Sequence, residues 1–337
     1  MPTGDTSPTP AHSWNERAGL GAPAERMRIG LKVDVDTLRG TREGVPRLLE
    51  LFERHGVRAT FLFALGPDHT GRAIRRVFRK GFVDKVQRTS VVSHYGVRTL
   101  LYGIVLPGPD IGKRAIDVLR RARDEGHETG IHCWDHVRWQ DRVSSADANW
   151  TRREMQRACD RYVDVFGERP ATHGAAGWQM NVHALRLTQE LGFDYCSDGR
   201  GAYPHLPVWR AELIRCPQVP TTLPTLDELI GTDGLTDDNV AEHVLALTGP
   251  PHDDGHVFTL HAELEGGRLC GVLDALITGW KAQGWSLGPV RDLLASVEPM
   301  ALPRCETLLG SIPGRTGTLL MQGDEFLGDI DETHREL

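Results

Sequence analysis

The sequence predicts an α/β fold, and within that class it favours a (β/α) barrel over an open sheet. Two observations lead there. Short β-rich runs alternate with amphipathic stretches from Met27 onward, the pattern of parallel βα units. That alternation continues through most of a 337-residue chain, long enough for one large domain or two smaller ones, of which one is preferred. Periodicity alone leaves closure of the barrel open.

Residues 1–26 are polar, rich in proline and without period, so they are expected to be a disordered leader. Strands are expected in RIGLKVDVD (28–36), RATFLFAL (58–65), ETGIHCW (128–134), FDYCSD (193–198), IRCPQVP (214–220) and HVFTLHAE (256–263). A helix is expected from Val45 to His55, with Leu48, Leu49 and Phe52 on one face and Gly56 as its stop. A second runs from Asp110, a capping residue, to Gly126, with Ile111, Ala115, Val118, Leu119 and Ala122 at helical spacing. The barrel is thus placed at 27–298. A C-terminal extension, 299–337, holds apolar pieces separated by glycines, suggesting a small hairpin to which no chemistry is assigned.

Composition narrows the function classes. A net charge of −7 and a pI near 6.1 provide no global basic field for nucleic acid, so no nucleic-acid partner is expected. Six scattered cysteines without a CxxC pair read as free thiols in a reducing compartment. The leader lacks an apolar signal core, and no run of 18 apolar residues occurs, so a cytoplasmic protein without a spanning helix is expected. Residues 71–106 break the βα rhythm. There Arg72, Arg75, Arg76, Arg79, Lys80, Lys85, Arg88 and Arg98 face the single acid Asp84 and lead into VVSHYGVRTLLYGIVLPG. Either an in-plane membrane-surface element or an ordinary helical insertion with a solvated basic face fits that composition.

The chemistry concentrates where strands end. Asp34 and Asp36 stand two apart, so both side chains leave one face of an extended strand, and two carboxylates there are costly without a cation or proton between them. Isolated, a DxD serves equally as loop cap or salt-bridge partner. His132 and His136 are spaced by one helical turn and can converge on one ion. With Asp36 they make an open shell of one oxygen and two nitrogens, suited to a catalytic divalent metal rather than a structural one. Zinc is the first choice for that shell, and cobalt, nickel or manganese also fit. His261 closes the last strand and faces the same mouth, with Glu263 two residues beyond on its face. A core histidine satisfied by a backbone carbonyl is the plainer alternative for His261. His55, His69, His205 and His252 are read as surface residues.

The strings VDVD, HCWDH, YCSD and TLHAE, in that order, resemble the motifs of the NodB-homology polysaccharide deacetylases. DVDTLRGTREGVPRLLE, HCWDHVRWQ, AAGW, SDGRGA, VPTTLPTLDELIG and TLHAELEG are similar to the bacterial deformylases acting on 4-deoxy-4-formamido-L-arabinose attached to undecaprenyl phosphate. The resemblance spans most of residues 28–300 and implies a distorted barrel of about seven strands. It puts the catalytic base on Asp34, metal ligands on Asp36, His132 and His136, the general acid on His261 and the fourth-motif aspartate on Asp198. It further implies substrate or supporting roles for Gly177, Trp178 and Thr222, with Glu263 beside them. The family's RxPY/FR arginine is replaced by THGAAGW (172–178), and Arg200 is the substitute considered for supporting Asp34.

A lipid-linked substrate implies a peripheral enzyme on the inner face of the inner membrane, docking through 71–106 with Arg72, Arg75, Arg76 or Arg79 near phosphates. It also implies a part in lipid A modification and polymyxin resistance. A soluble oligosaccharide N-deacetylase, a silent binding module and a structural zinc protein are the rivals. The survival of Asp34 and His261 beside an open shell disfavours the last two. Oligomeric state is not legible.

Overall fold

The structure, a computed structural model, describes residues 27–72, 99, 101–250, 252, 254–295, 297–312, 315 and 317–327. The expected leader, and Arg75, Arg76 and Arg79 of the insertion, lie outside the described residues.

Strand β1 (Arg28–Val35) is central, and every residue from Ile29 to Val35 is buried, as a parallel strand covered on both faces requires. Its carboxyl half pairs with β2 (Thr60–Ala64), and its other edge pairs with β8 (His256–His261). Its first residues pair with β9 (Ser286–Gly288). Beyond β2 follow β3 (Glu128–Cys133), β4 (Thr172–His173) and β5 (Tyr195–Cys196), all parallel. The result is a curled sheet in the order β5-β4-β3-β2-β1-β8.

Residues 217–223 bridge the gap between the edge strands. Cys196 N donates to Pro217 O (2.8 Å), Val219 N to Cys196 O (2.8 Å) and Thr222 N to Val257 O (3.2 Å). A regular strand expected over 214–220 is replaced by these separate bonds, because Pro217 and Pro220 have no N–H to give a ladder. The fold is the distorted barrel expected, with a thin proline-interrupted seam.

Helix α1 (Val45–His55) buries Val45, Leu48, Leu49, Leu51 and Phe52 and stops at Gly56, whose φ of 61° is left-handed. Each such side chain contributes roughly 1.5–3 kcal/mol on burial. The helix expected over 110–126 is instead two, α2 (Ile111–Arg114) and α3 (Ile116–Asp124), broken at Ala115 with φ −129°. Its ends are as expected: the Asp110 carboxylate accepts from Lys113 N (3.0 Å) and Gly126 has φ 85°. Further helices are α4 (His136–Arg142), α5 (Ala148–Phe166), α6 (Val182–Glu190), α7 (Leu226–Leu229), α8 (Val240–Leu247) and α9 (Cys270–Ala282).

A second sheet joins the C-terminal extension to the middle of the chain. Its order is β11-β10-β6-β7, with β6 (Leu206–Trp209), β7 (Glu212–Leu213), β10 (Arg304–Gly310) and β11 (Leu319–Glu325). The hairpin expected beyond Pro299 is therefore present as β10 and β11, and it is sewn to the barrel by Arg200 N to Leu320 O (2.9 Å) and Gln322 N to Arg200 O (2.8 Å).

Candidate metal centre and active site

Alternation along β1 puts Lys32, Asp34 and, just past its end, Asp36 on one face. Asp36 meets both histidines: its carboxylate oxygens lie 3.1 Å from His132 Nε2 and 3.4 Å from His136 Nε2. The histidines do not share a helix, as their spacing suggested. His132 is the penultimate residue of β3, while His136 opens α4 behind the capping Asp135, whose carboxylate accepts from Arg138 N (3.1 Å). The strand-to-helix turn, not one helical turn, brings their rings to 5.3 Å.

The donor set fits a cation. His132 Nδ1 donates to Gly174 O (2.7 Å), and a carbonyl can only accept, so a neutral ring turns a bare Nε2 lone pair toward Asp36. Two lone-pair groups facing each other in a buried site want a positive ion between them. Asp36 Oδ1 is buried and makes no hydrogen bond among the described residues. Burial raises the Asp36 pKa, but positive charge on the facing His136 and His132 rings outweighs it and holds the carboxyl far below its usual range; a cation between neutral rings would act in the same sense. Burial lowers the His136 pKa, favouring the neutral ring a metal requires. A second trio, His173, Cys196 and Asp198, has ligand types too. There, however, the Asp198 oxygens already accept from His173 Nδ1 (2.6 Å), Ala175 N (2.9 Å) and Gln218 Nε2 (2.8 Å).

Base and acid candidates flank the shell on adjacent strands in register, since Asp34 and His261 are Cα partners. Asp34 is 3% exposed, and its Oδ1 lies 3.8 Å from His132 Nδ1. His261 Nδ1 is 3.8 Å from Asp227 Oδ1, and its backbone N–H donates to Glu265 Oε2 (2.7 Å). Burial lowers the His261 pKa, yet the charges of Asp227, Asp36 and Glu265 together leave it raised.

Several expected supports are placed differently. Arg200 does not reach Asp34: its guanidinium binds Glu228 (2.9 and 3.1 Å) and Leu223 O and lies over the Trp178 ring. The cation beside Asp34 is Lys32, 3.4 Å away with neither side chain more than 4% exposed. Lys32 passes Gly174, where an added Cβ would come within 3.0 Å of its Cε and 2.3 Å of Leu62. Thr222 points away from the site, binding Val257 N (3.0 Å) and His256 (3.1 Å) near the start of β8. Its neighbour Thr221 faces inward, accepting from Trp178 Nε1 (3.1 Å).

Gly177 and Trp178 both have positive φ, 62° and 54°, a conformation costly for tryptophan and often stored at functional sites. Glu263 braces the end of β1, accepting from Asp36 N (3.2 Å), Thr37 N (2.9 Å) and Thr37 Oγ1 (2.7 Å). Burial and the Asp36 charge push its pKa up to about 8. Asp198 acts at one remove: it fixes the Ala175 amide next to the Gly174 carbonyl that orients His132. His69 is no bystander either, since its Nδ1 meets Asp135 at 2.6 Å, and His205 is buried.

Sequence reasoning missed Lys32, Asp227 and Glu265. The first had a signal, a lysine in phase with two aspartates in an otherwise apolar strand.

Comparison with known proteins fits this geometry. A family model described as polysaccharide deacetylase matches residues 23–196. A Shewanella sediminis protein named probable 4-deoxy-4-formamido-L-arabinose-phosphoundecaprenol deformylase is 38% identical over 88% of this chain and 94% of its own.

The chain belongs to the polysaccharide deacetylase family.

Another relative of this polysaccharide deacetylase, from Wigglesworthia glossinidia brevipalpis and bearing the same name, is 28% identical over 84% of this chain and 98% of its own. A solved structure described as a polysaccharide deacetylase of Mycobacterium smegmatis superposes with a TM-score of 0.54 at 18% identity, covering 80% of this chain and 90% of that one. That likeness concerns the fold. Membership makes the protein an amide hydrolase, and the candidate trio Asp36, His132 and His136 lies at the carboxyl end of the sheet.

Proposed function

We propose that this protein removes the N-formyl group of 4-deoxy-4-formamido-L-arabinose carried on undecaprenyl phosphate, releasing formate and the 4-amino sugar lipid used to modify lipid A. The observation carrying this reading is the 38% identity, over nearly the whole of both chains, to a relative named for that reaction. An open ligand shell flanked by one carboxylate and one imidazole supports it.

Asp36, His132 and His136 would hold one divalent ion, which supplies Lewis-acid polarisation of the formyl oxygen and a more acidic water. Zinc suits the oxygen and nitrogen donors, and cobalt, nickel or manganese accept the same set. Asp34 takes a proton from the attacking water, while Lys32 fixes its carboxylate from two residues back on the same strand. His261, as imidazolium, protonates the amine nitrogen as the C–N bond breaks. One water is consumed, and its oxygen leaves in formate.

The polyprenyl chain stays in the bilayer, held by about 0.8 kcal/mol per CH₂, so the enzyme must come to the inner face of the inner membrane. No helix among the described residues is long and apolar enough to cross a membrane. The turn at the end of the 71–106 insertion suits docking: Leu101, Ile104, Val105 and Leu106 are exposed, Val105 by 73%. Arg72 is tied to that turn through Nε to Gly103 O (2.8 Å), which sets a cation beside the apolar tip.

The test is product analysis with purified protein and the formamido-sugar lipid in detergent. Formate should appear, stop with chelator and return with divalent metal. Acetate from an acetamido sugar, with no formate from this lipid, would replace the reading by N-deacetylation.

A further inference from the structure

The C-terminal extension has no role in the mechanism above, yet it enters the acid side of the site. Arg315, in the connection between β10 and β11, binds Glu228 through Nε (2.6 Å). Its Nη2 spans both oxygens of Asp227 (3.0 and 3.3 Å) and reaches Thr225 Oγ1 (3.3 Å). The guanidinium lies 4.3 Å from the centre of the Trp178 ring, and the side chain is 18% exposed. The hairpin that carries it is fixed by the second sheet, where β10 runs parallel to β6, and by the Arg200 backbone bonds to Leu320 and Gln322.

Two facts assign a direction to this contact. Glu228 already has a cation from the barrel, Arg200, at 2.9 and 3.1 Å, and it closes a capping box with Thr225 at the start of α7. Among the described residues no barrel arginine is hydrogen-bonded to Asp227, which also meets the Thr225 hydroxyl (2.6 Å) and His261 Nδ1 (3.8 Å). The forked guanidinium is thus what fixes the plane of the Asp227 carboxylate. A cation this near His261 opposes its protonated form, so its benefit is orientation rather than charge.

We propose that Arg315, delivered by the C-terminal hairpin, is a positioning residue that holds Asp227 in line with His261. The extension is then part of the catalytic apparatus rather than an appendage. This rests on the reading of His261 as the acid that protonates the leaving amine.

The experiment is a double-mutant cycle on the full chain, metal-loaded, with formate release from the formamido-sugar lipid as the rate. Arg315→Met should lower kcat by about ten- to thirtyfold, with KM changed less than about twofold and metal content unchanged. Asp227→Asn should lose at least as much, and the double variant should be no slower than Asp227→Asn alone. Arg315→Lys keeps the charge without the fork and should fall with Arg315→Met; it also serves if the methionine variant is poorly folded.

Losses that multiply, or a raised KM at unchanged kcat, would overturn the proposal, the latter by making Arg315 a substrate contact. Failure of the underlying reading looks different: His261→Gln would then stay active, whatever the cycle gives.

Discussion

The two sides of this site are held by different kinds of structure. On the base side, Lys32, Asp34 and Asp36 come from five consecutive residues at the end of one strand and just past it, so backbone alternation sets their relative positions. On the acid side, His261, Asp227 and Arg315 come from β8, the start of α7 and the C-terminal hairpin. Those parts meet only when the barrel and the second sheet are both complete. The base side is also the drier: Lys32 and Asp34 are almost fully buried, whereas the Asp227 side chain is 36% exposed. A site assembled this way has a rigid half that depends on local geometry and an assembled half that depends on long-range contacts.

Breaking the rigid half should cost most. Asp34→Asn should lower kcat by about 10²–10⁴-fold, the usual worth of a positioned general base, with substrate affinity preserved; near-full turnover would move the base elsewhere. On the acid side His261→Gln should lose on the order of 10²-fold at neutral pH, measured as formate released under saturating substrate. Lys32→Met comes next. Misplacing the base by about 1 Å costs up to ~10²-fold, and breaking a buried ion pair destabilises by roughly 3–5 kcal/mol. Lys32→Arg should recover much of both, while a Lys32→Met protein with wild-type denaturant midpoint and rate would refute the support of Asp34 from its own strand. Gly174→Ala should destabilise by about 1–3 kcal/mol, because its Cβ would strike Leu62 and crowd Lys32.

How much of each half was legible in the sequence follows the same division. A strand's period of two made Asp34 and Asp36 readable as a pair, and the same period held Lys32 in plain view. It was passed over because a lysine in a strand ordinarily reads as a solvated residue. His132 and His136 come together, but not by the geometry their spacing suggests, since spacing cannot distinguish one helical turn from a strand turning into a helix. Asp227 and Arg315 gave no local signal. Their meaning lies in contacts 34 and 88 positions apart, as His261 minus Asp227 and Arg315 minus Asp227 give. A β-rich run over 214–220 reads as a strand, and the structure departs from it because Pro217 and Pro220 have no N–H to give a ladder.

The smallest effect lies outside both halves and separates loss of fold from loss of chemistry. Burial pushes the pKa of His127, His205 and His256 from 6.5 down to about 4 in each case, helped at His127 by Arg58 and at His256 by His252. Between those values the unfolded chain binds protons that the folded chain refuses, so stability is fully present above pH 6.5 and falls as the pH drops toward 4. His205→Gln should remove up to one proton from that slope in urea midpoints read against pH. An unchanged slope would show that His205 takes its proton while folded.

The central claim, a metal trio distinct from the base beside it, is tested most directly by measuring bound divalent metal and formate release together in Asp34→Asn and His132→Ala. The account predicts that Asp34→Asn keeps one ion per chain while its formate release falls by about 10²–10⁴-fold, and that His132→Ala loses both metal and activity. An Asp34→Asn protein that turns over at near the wild-type rate, or a His132→Ala protein that keeps its metal at wild-type affinity, would contradict it.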